Sequence, residues 1–174
     1  MQHINIEIKA RCDRLDAIRS ILQSNDAEFV GEDHQIDTYF RGASGRLKLR
    51  EGTIEHALIH YERPDQDGPK PSDVTRYAPE PDPALKEVLT NALGVEVVVD
   101  KRREIYFINN VKFHLDRVDR LGTFVEIEAI GEDAAADPEA LRAQCAHYMK
   151  EFSIREDELV SASYSDLVLR VEEA

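Results

Sequence analysis

The sequence predicts an α+β domain built on about eight antiparallel strands with a few helices. Three observations carry that expectation. Residues 3–12 alternate strictly between apolar and polar side chains, the period of two that belongs to a strand. Further alternating runs are separated by turn-forming clusters, among them Gly42 to Gly45, Glu51-Gly52-Thr53 and Asn109-Asn110. Helically spaced stretches are short and interrupt the strands at only a few places.

In the first strand Ile4, Ile6, Ile8, Ala10 and Cys12 fall on one face, and His3, Asn5, Glu7, Lys9 and Arg11 on the other. Asp13 is placed to cap a helix at about 14–23, with Leu15, Ile18, Ile21 and Leu22 at helical spacing. A strand follows from about Glu28 to Phe40. Arg46, Lys48 and Arg50 then alternate with Leu47 and Leu49, and residues 55–63 read as the hairpin partner. Residues 64–72 hold three prolines and a glycine and read as an exposed loop, with strand character resuming at Val74. Pro79, Pro81 and Pro83 lead into a helix at about 84–93 that ends near Gly94. Residues 96–108, Val111 to Val118, and Leu121 to Ile130 read as three successive strands. Asp137 and Pro138 open a helix at about 138–150, and a short helix covers about 163–171. No repeat or composition break divides the chain, so residues 1–174 are expected to form one domain.

Several classes of function are excluded by composition. A net charge of −13 argues against general binding to nucleic acid or a membrane surface, which needs a basic footprint. No window approaches the roughly 18 apolar residues of a membrane span, and the N-terminus lacks the pattern of a signal peptide; a cytoplasmic location is the expectation. Cys12 and Cys145 have no metal-type or redox-type spacing and read as small hydrophobes. His34, His56, His60 and His147 read as surface or packing residues, and Tyr106 and Phe107 as core and outer packing.

The polar faces of the strands are unusual because they carry charges of both signs. Glu7 and Lys9 share a face, as do Arg46, Lys48 and Arg50, Lys101 and Arg103, Lys112, His114 and Asp116, and Glu126 and Glu128. Two closures fit. An open sheet puts these charges in water; a barrel turns them into a lumen and hides the apolar face under helices at 14–23, 84–93 and 138–150. A mixed lumen suits a metal–triphosphate complex. Lys and Arg meet phosphate oxygens with charge-assisted hydrogen bonds. Carboxylates repel phosphate but hold hard divalent cations, and Mg²⁺ is usually bound by one or two carboxylates plus phosphate oxygens and water. Internal ion pairing without a ligand is the alternative and contributes little net stability.

Asn5-Ile6-Glu7-Ile8-Lys9 resembles the N-terminal Glu-x-Glu-x-Lys signature of the CYTH superfamily. Gly45 to Glu51, Lys101 to Phe107, His114-Leu115-Asp116, Leu121 to Glu128 and Ser163 to Leu167 resemble further family segments in the right order. The resemblance is nearest to the compact, CyaB-type class IV adenylyl cyclase-like branch. It implies a closed eight-stranded antiparallel barrel, the triphosphate tunnel, with helices outside. It implies Mg²⁺ or Mn²⁺ as cofactor and ATP or another triphosphate as ligand, and family members are often homodimers. By matched position, Glu7 and Glu126 are metal ligands, with Glu128 assigned more weakly. Lys9, Arg50, Lys101 and Arg103 hold phosphates, with Lys48, Arg46 and Arg76 as further contacts. Asp116 lies near metal and substrate. Lys9, Arg103 and Asp116 are the residues expected to carry catalysis.

Two positions depart from the family pattern. Asn5 stands where the signature has its first Glu, which removes an anionic ligand and weakens a second metal. Glu62 stands where a lysine is usual, so either Arg63 compensates through a bulge or the site has swapped a cation for an anion; Asn5 and Glu62 together suggest a carboxylate moved across the lumen. The resemblance puts cyclisation of ATP to cyclic AMP and pyrophosphate narrowly first. A triphosphatase acting on inorganic, thiamine or nucleoside triphosphate is second, and a non-catalytic polyphosphate or nucleotide binding module is third.

Overall fold

The computed structural model describes residues 2–42, 44–62, 66, 68–131 and 136–174. In chain order the elements are β1 (Gln2–Arg11), α1 (Leu15–Ser24), β2 (Glu28–Phe40), β3 (Arg46–Glu51), β4 (His56–Glu62), β5 (Lys70–Tyr77), α2 (Pro83–Leu93), β6 (Val95–Ile108), β7 (Val111–Val118), β8 (Gly122–Ile130), α3 (Pro138–Glu151) and α4 (Tyr164–Glu173). A single 3₁₀ turn, Glu156–Glu158, precedes α4. The strands close into a barrel in the order β1-β5-β4-β3-β2-β6-β7-β8, every pairing antiparallel. No helix among the described residues is long and apolar enough to cross a membrane.

Of the two closures, the barrel is the one formed, and it has two separate cores. The first lies outside the wall. Ile6, Ile8 and Ala10 of β1, Phe113 and Leu115 of β7, and Val125 and Ile127 of β8 are buried there under Leu15, Ile18 and Leu22 of α1 and Leu141 and Cys145 of α3. The second lies inside one end, where Tyr39, Val97, Val99, Val118 and Phe124 pack against Tyr164 and Val168 of α4. The C-terminal helix therefore plugs one mouth. α2 buries none of its residues, so the expectation that it would cover the outer wall is corrected.

Helix ends follow local chemistry. Asp137 accepts a bond from the Glu139 amide with Pro138 next in line, and Ser163 and Asp166 form a reciprocal capping box on α4. Asp13 does not cap α1: Arg14 occupies the cap position, and its guanidinium reaches Glu158 at 2.7 Å.

The β3–β4 turn is held from a distance. The Asp33 carboxylate on β2 accepts bonds from the Thr53, Ile54 and Glu55 amides and the Thr53 hydroxyl. A Cβ at Gly52 would sit 2.7 Å from that carboxylate, so only glycine fits there. The β6–β7 hairpin turns at Asn109, whose φ of 51° is one that Asn tolerates. β5 begins at Lys70, four residues before the sequence suggests. Pro71 lies across from Ile6 of β1.

Candidate functional site

Strand parity decides which side chains enter the barrel. Asn5, Glu7 and Lys9 of β1 lie across from Ile130, Glu128 and Glu126 of β8. Lys112 and His114 of β7 face Phe107 and Ile105 of β6, and Arg103 faces Asp116. Lys48 and Arg50 come from β3, and Arg76 from β5. These strands enclose a cavity of about 450 Å³ into which Glu7, Lys9, Lys48, Arg50, Arg76, Lys101, Arg103, Glu126 and Glu128 all project. Nine of the eleven sequence-predicted site residues are thus brought together.

Of the other two, Asp116 stands behind the wall of this cavity, fully buried. Arg103 donates to both of its oxygens, at 2.7 and 2.6 Å, and the Tyr164 hydroxyl donates at 2.7 Å. Its visible role is to aim Arg103, which also reaches Glu126 at 3.0 Å. Arg46, a weaker candidate, leaves the cavity and pairs with Asp166 of α4 at 2.6 Å.

Glu126 is the hub of one half of the lumen. It meets Lys9 at 3.5 Å and His114 Nδ1 at 2.9 Å. Burial opposes its charge, but Arg103, Lys9 and His114 outweigh burial and hold the carboxyl well below the usual range. Burial pushes the His114 imidazole down, and Arg103 reinforces this. Lys9 also donates to the Ala162 carbonyl at 3.3 Å and lies 4.1 Å from the centre of the Tyr164 ring.

Asp37 is the hub of the other half. Arg50 grips it at 2.9 Å through two nitrogens, Lys101 at 2.7 Å and Lys48 at 3.1 Å. These cations overcome burial and keep Asp37 charged. Burial lowers Lys101 to about 7, an effect that Asp37 offsets only in part and that Arg50 and Arg103 strengthen. Glu55 at the hairpin turn bridges Arg50, at 2.9 Å, and Lys112.

Sequence reasoning misses Asp37, Glu55 and Lys70. Asp33, Gln35, Asp37 and Tyr39 do alternate along β2, but their neighbours His34 and Thr38 are polar, which blurs the period. Lys70 was hidden by the loop reading; it is buried, and its ammonium donates to the Ser161 carbonyl at 2.7 Å. Glu62 is corrected: it is exposed on the outer face of β4, whose cavity-lining residues are Ile59 and Tyr61. No carboxylate has crossed the lumen at that position, and Arg63 lies outside the described residues. Phe107 is also corrected, because it lines the cavity.

The donor set fits a divalent cation. Glu7 and Glu128 are direct cross-strand partners on the inner wall. Two carboxylates side by side on one wall can share a hard divalent cation. As the side chains stand, no three His, Cys, Asp or Glu among the described residues converge on a metal position. A pair of carboxylates completed by phosphate oxygens and water is nonetheless the ordinary Mg²⁺ set.

Comparison with known proteins agrees with this architecture. The sequence matches the CYTH domain family over residues 3–158. A Methanocaldococcus jannaschii protein named "Putative adenylate cyclase MJ0240" is 23% identical over 177 residues, covering 94% of this chain and 98% of that one. The PH1012 protein of Pyrococcus horikoshii OT3 superposes with a TM-score of 0.79 at 25% identity, covering 94% of this chain and 98% of that one. HpAC1 from Hippeastrum, described as having a dominant triphosphatase activity, superposes with a TM-score of 0.60 at 16% identity, covering 98% and 96%; at that identity the likeness speaks for the fold alone. With a family match over nearly the whole barrel and a closed ring of strands lined by acids and bases, the chain belongs to the CYTH domain family.

Proposed function

We propose that the lumen is a metal-dependent active site that displaces a group at phosphorus on a bound triphosphate, with cyclisation of ATP to cyclic AMP and pyrophosphate as the first reading. One observation carries it: the Glu7–Glu128 carboxylate pair faces a cavity into which Lys9, Lys48, Arg50, Arg76, Lys101 and Arg103 also project. Neither sign alone accounts for that wall. Retaining so many buried charges contributes little to stability, whereas their clustering in a cleft is what a reacting polyanion needs.

Arg103, aimed by Asp116, and Lys9, Lys101 and Arg50 hold phosphate oxygens and stabilise charge gathering on the leaving group. Glu7, Glu126 and Glu128 would hold the divalent ion. Bound there, Mg²⁺ or Mn²⁺ supplies Lewis acidity and lowers the pKa of a coordinated hydroxyl. In the cyclisation the ribose 3′-oxygen bonds to the α-phosphorus and loses its proton to water. The bond from the α-phosphorus to the bridging oxygen breaks, and pyrophosphate leaves with the electron pair.

The second reading is hydrolysis, in which water attacks the terminal phosphorus. A protein of the same fold, HpAC1 from Hippeastrum, is described with a dominant triphosphatase activity, so the fold admits this reaction. Incubation with ATP and with inorganic triphosphate, each with Mg²⁺ or Mn²⁺, separates the two by product, with Glu126→Ala as control. Cyclic AMP and pyrophosphate, lost in the control, are the expected result. Orthophosphate and a shortened chain would replace the first reading by the second. Tight binding of both compounds without turnover would make the lumen a binding module.

A further inference from the structure

Tyr164 is the first residue of α4, and its side chain reaches from that helix into the wall of the cavity. It is buried, with its ring edge-on to Phe124 at 5.0 Å between centres and the Lys9 ammonium 4.1 Å from the ring centre. A phenylalanine would meet both of those contacts. The hydroxyl has a separate partner: it donates to Asp116 Oδ2 at 2.7 Å.

Asp116 in turn governs Arg103. Nε and Nη2 of Arg103 donate to its two oxygens, and Nη2 also donates to Glu126. Nη1 has no hydrogen-bond partner among the described residues, although Arg103 lines the cavity. A fork of two parallel bonds makes the guanidinium and the carboxylate coplanar, so the plane of Asp116 sets the direction of Nη1. A carboxylate held by that fork alone can swing with it. A third donor, coming from a different element, fixes the plane.

The seat of that third donor is itself built from the strands. Ser163 and Asp166 cap α4, and Arg46 of β3 donates to Asp166 Oδ2 at 2.6 Å. Just before the cap, Lys70 of β5 donates to the Ser161 carbonyl at 2.7 Å and Lys9 of β1 to the Ala162 carbonyl at 3.3 Å. Residues 161–166 are thus tied to three strands, and Tyr164 stands on a fixed base.

We propose that Tyr164 is a positioning residue: by holding Asp116, its hydroxyl fixes the direction in which Arg103 presents Nη1 to a bound phosphate. The inference rests on the triphosphate reading above and adds to it that the C-terminal helix supplies part of the site's geometry as well as closing one end of the barrel.

The test is calorimetric titration, in Mg²⁺, with an inorganic triphosphate whose bridging oxygens are methylenes. The proteins compared are the wild type, Tyr164→Phe, Arg103→Lys, the double variant and Val168→Ala. Tyr164→Phe keeps the ring against Phe124 and Lys9, and cooperative unfolding in urea checks that each variant is folded. Val168 is buried one turn further along α4, in the same core, and does not line the cavity. Tyr164→Phe should weaken binding by about tenfold, the scale of one hydrogen bond to a charged group, and Val168→Ala should leave it unchanged. A lysine ammonium cannot form the fork, so adding Tyr164→Phe to Arg103→Lys should cost no more than about twofold. An unchanged affinity in Tyr164→Phe, an equal loss in Val168→Ala, or the same tenfold loss in the Arg103→Lys background would overturn the positioning role while leaving the triphosphate lumen intact. Failure of the wild type to bind would overturn the triphosphate reading and this inference with it.

Discussion

Asp37 makes contacts with three cations, Arg50, Lys101 and Lys48, and is almost wholly buried. Removing its charge strands those cations, so Asp37→Asn should cost about 3–5 kcal/mol in urea unfolding. Its carboxyl, like that of Glu126, is held well below the usual range. The folded state therefore binds fewer protons than the unfolded chain, and the stability these groups contribute is full above the ordinary carboxylate range and drains away as pH falls below it. Lys101 runs the other way. At about 7 it is largely neutral at pH 8 in the free protein, and a triphosphate beside it restores the charge. Binding at pH 8 should take up protons, read from calorimetry in buffers of different ionisation enthalpy, and Lys101→Arg should abolish the uptake. Glu7, Lys9, Arg103 and Glu126 were legible because strict alternation told which side of the strand they share. Asp37 was not, because the opposite face of its strand mixes polar His34 and Thr38 with Ile36 and Phe40, which blurs the apolar row that would mark the inner one.

Helices of similar length do different work. α1 inserts Leu15, Ile18 and Leu22 into the outer core, whereas α2 has no buried residue and its Val88 is 62% exposed. Leu22→Ala should therefore destabilise by about 2–5 kcal/mol, while Val88→Ala should stay within about 0.5 kcal/mol, both measured by chemical denaturation. Helical spacing reveals where a helix starts and stops, and the positions of all four were readable. It does not reveal what the apolar stripe will meet, which is why α2 was assigned to the wall and α4 was not seen as a plug. The early start of β5 was lost for a related reason. Three prolines and a glycine read as loop when the strand paired with Pro71, β1, lies far away in sequence.

At the scale of the whole molecule, ligand and metal should act together on stability. Mg²⁺–triphosphate at about 100 times its Kd should add about 2.7 kcal/mol to unfolding, visible as a raised Tm. Triphosphate without metal should add less, because the carboxylates Glu7, Glu126 and Glu128 on the same wall repel it. Whether the alternating strands closed on themselves was not decidable from periodicity, since an open sheet and a barrel share one pattern. The resemblance across the chain supplied that choice, and the register of β1 against both β5 and β8 realises it.

That double pairing also dictates a sequence of events as the chain is made. The first strand can find its second neighbour only when residues near Ile130 have left the ribosome. Until then the growing sheet is an open trough whose concave side, bearing Glu7, Lys9, Lys48 and Arg50, stays hydrated. A wet, charged trough does not adhere to its neighbours as a bare apolar sheet would. Pairing the two strands farthest apart in sequence carries the largest loop-closure cost, so the slow step of folding is expected at closure of the ring rather than at any hairpin.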